Sequence, residues 1–226
     1  MVLLCAGCHG MSGEGRIDAG YPRLAGQPHR YLERQLEAYA DGRRKSAVME
    51  PLARSLTAGE RRRLAAHFSS RTADAAPGDS YSKRGETLAV HGDEALRVQA
   101  CQNCHGPMGR GQPPSGPALA GLGADYLRAE MAAWRSGARD TDPSGQMPVI
   151  ARLLTDEDVQ ALAAYYAGLP AMDKRERPLP RYERAQPPTL PGVGKKPDKG
   201  DKGDRGKGAG ARAEGSQGAA SGPRTE

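Results

Sequence analysis

Apolar positions recur at helical spacing twice, 95 residues apart. Tyr31, Gln35, Leu36 and Tyr39 share one face, and Gly42 follows the last turn. Tyr126, Leu127, Glu130, Met131 and Trp134 take the same places further along, followed by Gly137. The i, i+4, i+5, i+8 spacing predicts a helix in each copy, and a glycine after the final turn is a common stop. Pro28 suits the first turn of the first copy. A second pair of helices is predicted after Thr57-Ala58-Gly59-Glu60 and Thr155-Asp156-Glu157-Asp158. Both have a hydroxyl to cap the helix and an acid three positions on to cap the capping residue in return. Their apolar positions correspond: Leu64, Ala65 and Phe68 with Leu162, Ala163 and Tyr166. Gly168 and Pro170 end the later one. Ser80 to Val90, closed by Gly92, predicts one further helix, with no counterpart in the first half.

The chain is therefore an internal repeat. Tyr21-Pro22-Arg23-Leu24-Ala25-Gly26 corresponds to Gly116-Pro117-Ala118-Leu119-Ala120-Gly121. Between the paired helices a loop carries a methionine, Met49-Glu50-Pro51 in one half and Met147-Pro148 in the other. Small polar residues with Pro77-Gly78 read as a linker. The expected domains are 1–70 and 80–172, with a linker over 71–79 and a low-complexity, disordered tail over 173–226.

Composition adjusts this picture at the tail. The 33 Lys/Arg and 27 Asp/Glu leave a net charge of +6. Residues 173–226 hold 13 Lys/Arg against 8 Asp/Glu, and residues 1–172 hold 20 against 19. The basic balance belongs to the tail, so no nucleic-acid partner is inferred from it. Such a tail could make weak contact with an anionic membrane surface. With one Trp, one Phe and eight Tyr, two domains of this size have little large apolar material for a core. Small scaffolds of that kind usually need a staple or a cofactor. No apolar run of 18 residues exists, so no transmembrane helix is predicted. Only Met1-Val2-Leu3-Leu4 precede the first cysteine, which leaves no visible signal peptide.

The four cysteines all lie in two copies of one motif, Cys5-Ala6-Gly7-Cys8-His9 and Cys101-Gln102-Asn103-Cys104-His105. C-x-x-C-H is the attachment motif of c-type haem. Two thiols three positions apart can each bond one vinyl group of the same porphyrin, and the next residue sets an imidazole under the iron. A zinc site needs four ligands and a redox dithiol a βαβ setting. The pairs are far apart, and no strand-like alternation surrounds either one. No cysteine is left for a disulfide framework.

A second axial ligand must lie far enough along the chain to reach the other face of the ring. Met49 is 40 residues after His9, and Met147 is 42 after His105. A thioether ligand raises the reduction potential. Met11 and Met108 follow their histidines too closely, whereas Met131 and Met172 read as fillers of core gaps. His29 and His67 are rivals in the first half with no equivalents in the second, and His91 reads as a helix-end residue. A ligating histidine usually donates its other N–H to a nearby acceptor; the carbonyls of Pro22 and Pro117 could accept it, the other reading being simple turn prolines.

With the repeat laid out, residues 1 to about 170 resemble the dihaem cytochromes c of the c-four type. The resemblance rests on Cys-x-x-Cys-His-Gly, Pro-x-Leu-Ala-Gly and the methionine loop before Leu-Thr, each present twice. The Leu-Ala-Ala-His-Phe and Leu-Ala-Ala-Tyr-Tyr helices add to it. It implies an all-α fold of two tandem class I domains, with thioether bonds at Cys5, Cys8, Cys101 and Cys104. It also implies the axial pairs His9/Met49 and His105/Met147. Such proteins are periplasmic electron carriers, not enzymes, passing electrons from a quinol-oxidising complex or another donor to a terminal oxidase or reductase. Two other readings are a cytochrome subunit of a membrane dehydrogenase or oxidase complex, and a haem peroxidase; the two methionines oppose the latter. The family pattern has a signal peptide and a helix ahead of the first haem. The expectation is therefore a start assigned too far downstream, a longer exported protein, and a first domain whose Leu64/Phe68 face is uncovered. The tail is not required by the family pattern.

Overall fold

The structure is a computed structural model that describes residues 1–72, 78–114 and 116–171. The expected tail and most of the expected linker lie outside those residues. The elements are α1 (Val2–His9), α2 (His29–Asp41), α3 (Met49–Arg54), α4 (Ala58–Ser69), α5 (Lys83–Val90), α6 (Gln102–His105), α7 (Ala124–Ser136), α8 (Gln146–Leu153) and α9 (Asp156–Gly168). Short 3₁₀ turns cover Ile17–Ala19 and Pro107–Gly109. Among the described residues there are isolated β-bridges and no extended strands, so the fold is all-α.

Local signals explain the helix ends. Gly42 and Gly137 close α2 and α7 in the left-handed region, at φ +79° and +75°, where a side chain would be strained. Pro28 stands one residue ahead of α2, at its N-cap. Both predicted capping boxes form: Thr57 with Glu60, and Thr155 with Asp158. Ser82 caps α5 through the N–H of Gly85. The C-x-x-C-H segments are themselves helical, in α1 and α6.

Two expectations need correction. The methionine loops are helical: Met49 opens α3 and Met147 lies in the first turn of α8. Pro51 and Pro148 do not prevent this, because first-turn N–H groups have no intrahelical partner to lose. Nor is the Leu64/Phe68 face uncovered. Leu64 and Phe68 are 4% and 3% exposed and pack with Leu32 and Ala65, joined by Val2, Cys5 and Leu24. In the second half α5 lies along α9, with Gly85 tight against Ala161 and Tyr165. The corresponding places on α4 are Arg63, which is exposed, and His67, which is half-buried. The side of α4 that matches the α5 contact is thus polar, and its apolar stripe turns inward.

The second core gathers Leu88 and Ala89 of α5, Val98 and Leu154, with Val159, Leu162, Tyr165 and Tyr166 of α9. The two halves meet along a short antiparallel seam. Lys45 N–H donates to the Ala138 carbonyl at 2.9 Å, and Asp140 N–H to the Arg43 carbonyl at 2.7 Å. This sets Arg44 opposite Arg139.

Candidate functional site

Each half folds one loop around its histidine in the same way. The His9 carbonyl accepts from Gly15 N–H at 2.8 Å, and the His105 carbonyl from Gly111 N–H at 2.7 Å. The Gly13 carbonyl accepts from Leu24 and Ala25, and the Gly109 carbonyl from Leu119 and Ala120. Gly13 and Gly109 have φ of +78° and +67°, and a Cβ there would come within 2.6 Å of the Phe68 ring or 2.5 Å of the Tyr166 ring. Only glycine fits so close beneath the last helix of each half. The folded loop presents a proline carbonyl to the imidazole. Pro22 O accepts from His9 Nδ1 at 2.8 Å, and Pro117 O accepts from His105 Nδ1 at 2.9 Å. A carbonyl can only accept, so Nδ1 carries the hydrogen and Nε2 keeps its lone pair.

Both rings are buried. Burial holds each histidine pKa below its ordinary value, against the opposing pull of the carbonyl. The same cause raises the thiols of Cys5 and Cys101. A neutral imidazole with a free Nε2 is the form that binds a metal.

Each histidine opens onto its own cavity. Cys5, Cys8, His9, Pro22 and Met49 line one of about 330 Å³. Cys101, Cys104, His105, Pro117 and Met147 line another of about 650 Å³. All ten residues singled out from the sequence thus fall into two sets of five. The walls are mainly apolar, with Leu32, Leu64 and Phe68 in the first and Leu127, Ile150 and Leu162 in the second. This donor set, an apolar slot with two thiols, an imidazole and a thioether, suits an iron porphyrin fastened through its edge.

The rival histidines are elsewhere: His29 and His67 do not line the first cavity. His29 Nε2 lies 3.3 Å from the Arg62 carbonyl, and His67 packs edge-on against Phe68. Met11 and Met108 are exposed. Met131 does reach the second cavity, where it packs against the core. Met147 and Met49 instead stand in the first turns of their helices, each with its N–H taken by a side chain. Asp142 accepts from Met147 N–H at 2.8 Å, and Ser46 Oγ accepts from Met49 N–H at 3.1 Å.

The profile of the cytochrome c family matches residues 3–71 and again 83–169. The chain belongs to the cytochrome c family. Its two tandem domains each carry a covalently attached haem c. The thiosulfate dehydrogenase electron acceptor of Thiomonas intermedia is 41% identical over 170 residues, 74% of this chain and 78% of that relative. Cytochrome c4 from Pseudomonas stutzeri is similar in structure, with a TM-score of 0.67 and 31% identity over 74% of this chain and 94% of that one. The thiosulfate dehydrogenase TsdBA from Marichromatium purpuratum gives a TM-score of 0.68 at 38% identity, covering 74% of this chain. This cytochrome spans 36% of the length of that TsdBA chain.

Between its cavities the cytochrome carries a polar wall that periodicity and motif do not reveal. Tyr31, Gln35, Tyr126 and Glu130 line both cavities, Arg44 the first and Arg139 the second. Glu130 bridges the arginines: one oxygen accepts from Arg44, the other from Arg139 at 2.7 Å. Arg44 also donates to Gln35 at 3.1 Å and to Tyr126 at 2.9 Å. Arg139 donates to Tyr31 at 3.1 Å and to Gln35 at 3.2 Å. Each guanidinium stacks on an aromatic ring, Arg44 on Tyr39 and Arg139 on Trp134, an arrangement that favours a cation. Burial would raise the Glu130 pKa, but the two guanidiniums outweigh it and hold the carboxyl below its usual range. The wall follows the repeat except at two places: Gln35 in the first half corresponds to Glu130 in the second, and Tyr39 to Trp134.

Proposed function

We propose that this chain is a periplasmic dihaem electron carrier that accepts electrons one at a time and passes them on without binding substrate at either iron. Cys5 and Cys8 anchor the first haem and Cys101 and Cys104 the second, with His9/Met49 and His105/Met147 as axial pairs. The observation that carries this reading is the sorting of those residues, with Pro22 and Pro117, into two cavities on either side of a common wall. Bound haem c supplies a one-electron couple. The apolar walls would keep water from the haem, the carbonyl on Nδ1–H leaves Nε2 free to bind iron, and each methionine is held by its N–H. With a histidine and a methionine to hold each iron, peroxidase chemistry would have no open position to use.

The carrier domains extend over about 1–70 and 80–172. No described helix is long and apolar enough to cross a membrane. The donor is read from relatives: proteins at 41% and 40% identity are named as electron acceptors of thiosulfate dehydrogenase. We take a thiosulfate-oxidising dehydrogenase as donor and a terminal oxidase or reductase as acceptor. A subunit role within a larger dehydrogenase complex is the second reading, favoured by the likeness to part of the TsdBA chain. The charge distribution suits two different docking partners. Residues 1–72 hold 12 Lys/Arg against 7 Asp/Glu, and residues 78–171 hold 8 against 11. Opposite signs on the two halves steer different partners to different haem edges.

The test is stopped-flow mixing of the oxidised holoprotein with a thiosulfate dehydrogenase and thiosulfate. Reduction of both haems, slowed by added salt, is expected. No reduction at any salt concentration, in a protein that ascorbate reduces fully, would rule this donor out.

A further inference from the structure

The loop that holds His105 is gripped from the other half of the molecule. Gln27, buried just ahead of α2, makes a reciprocal pair with the backbone of Ala118. Its Oε1 accepts from Ala118 N–H at 2.9 Å, and its Nε2 donates to the Ala118 carbonyl at 2.8 Å. Arg23, also buried, donates to the Ala120 carbonyl at 2.9 Å and to the Ala25 carbonyl. Burial lowers the Arg23 pKa to about 10, which leaves it charged at neutral pH.

The geometry of one peptide group gives these contacts a consequence. Ala118 N–H and Pro117 C=O belong to the same peptide unit. Gln27 Oε1 accepts at its nitrogen end while its oxygen end accepts from His105 Nδ1. Hydrogen bonds in such a chain polarise one another. The Pro117 carbonyl thereby becomes a stronger acceptor, and the imidazole beyond it a stronger donor to a metal.

The first half has no equivalent. The repeat sets Leu122 at the place of Gln27 and Ala118 at the place of Arg23. Leu122 lines both cavities, and its side chain offers no acceptor to the Pro22–Arg23 peptide.

We propose that Gln27 is a positioning residue for His105, acting across the junction of the halves to tune the second haem through the Pro117–Ala118 peptide. This rests on the reading of His105 as an axial ligand. A more electron-rich imidazole favours the ferric state, so Gln27 holds the second potential down.

The experiment is a redox titration of the holoprotein with the two haems resolved by NMR, in parent, Gln27→Leu and Gln27→Glu chains. Gln27→Leu gives the first half the residue the second half already has. At a fixed ambient potential its second haem is expected to show a ferrous-to-ferric ratio roughly threefold higher, a shift of about 30 mV for a one-electron couple, with a smaller change at the first haem, whose cavity Gln27 also lines. Gln27→Glu keeps an acceptor for Ala118 N–H and is expected not to raise the second potential. Equal shifts at both haems in Gln27→Leu would mean a merely loosened junction and would overturn the proposal. So would an unchanged second haem, or a rise in Gln27→Glu equal to that in Gln27→Leu. If Gln27→Leu fails to fold, Gln27→Met, of nearly the same length and without the acceptor, is read by the same criteria. Failure of the ligand reading shows separately, as a second haem lacking a His–Met low-spin spectrum in the parent chain, and removes the proposal with it.

Discussion

Replacing His105 with alanine is expected to convert the second haem from a closed electron-transfer site to an open one. The ring is buried, its Nδ1–H is committed to Pro117 O, and its Nε2 faces the cavity shared with Met147. Nothing else in that wall offers an imidazole. The variant should keep two covalent haems, because the cysteines are untouched, and lose the low-spin spectrum of one. Reduced variant protein should bind about one equivalent of carbon monoxide, against essentially none for the parent. Reductive titration should show one electron lost from the native wave. A variant that kept two low-spin haems, with no carbon monoxide binding, would contradict the assignment of His105.

The second large effect is expected at Glu130. Its carboxylate is the anion that bridges the buried guanidiniums of Arg44 and Arg139. Glu130→Gln leaves both cations without a counter-charge. Breaking a buried pair from one side costs about 3–5 kcal/mol. Because Glu130 is itself partly accessible, a loss of about 3 kcal/mol is expected in denaturant unfolding followed by far-UV circular dichroism. Its dependence on pH has a definite sign. The folded-state pKa of Glu130 is depressed, so its contribution is present above the ordinary carboxylate pKa. It fades as pH falls through the depressed value. Parent and variant should therefore differ most near neutrality and converge in acid. A difference under about 1 kcal/mol at neutral pH would show that this wall does not hold the halves together.

These effects sit differently in the sequence. His105 is legible because haem attachment is a local problem: two thiols and an imidazole must meet one ring, so their spacing is fixed along the chain. The helix stops at Gly42 and Gly137 and the caps at Thr57 and Thr155 are legible for the same reason, since each satisfies backbone groups within a few residues. The proline carbonyls could be named because the loop repeats intact in both halves. The wall was not legible. Arg44 and Arg139 look like any other arginine until the seam sets them opposite each other. Gln27 forms bonds across 91 residues of sequence, and no periodicity marks it. Comparing the repeats at Gln27/Leu122 exposes one break in symmetry, since a buried polar residue with an apolar twin must have a partner elsewhere; at Gln35/Glu130 the break is a charge present in one half alone. The methionine segments are too short to display a helical period in the sequence, and their first-turn prolines cost a helix little. The inward turn of Leu64 and Phe68 follows from the polar residues beside them, Arg63 and His67, whose exposure the sequence pattern of α4 left undecided.

Both halves are expected to hold a haem by thioether bonds, at Cys5 and Cys8 and at Cys101 and Cys104. The most direct measurement is the mass of the chain, produced with an export signal in a host that attaches haem c, after denaturation and extraction with acidified organic solvent. The expected product is a polypeptide carrying two haem masses, with Cys5–Cys8 and Cys101–Cys104 peptides each modified. A chain at its bare polypeptide mass, or with colour passing wholly into the solvent, would contradict it.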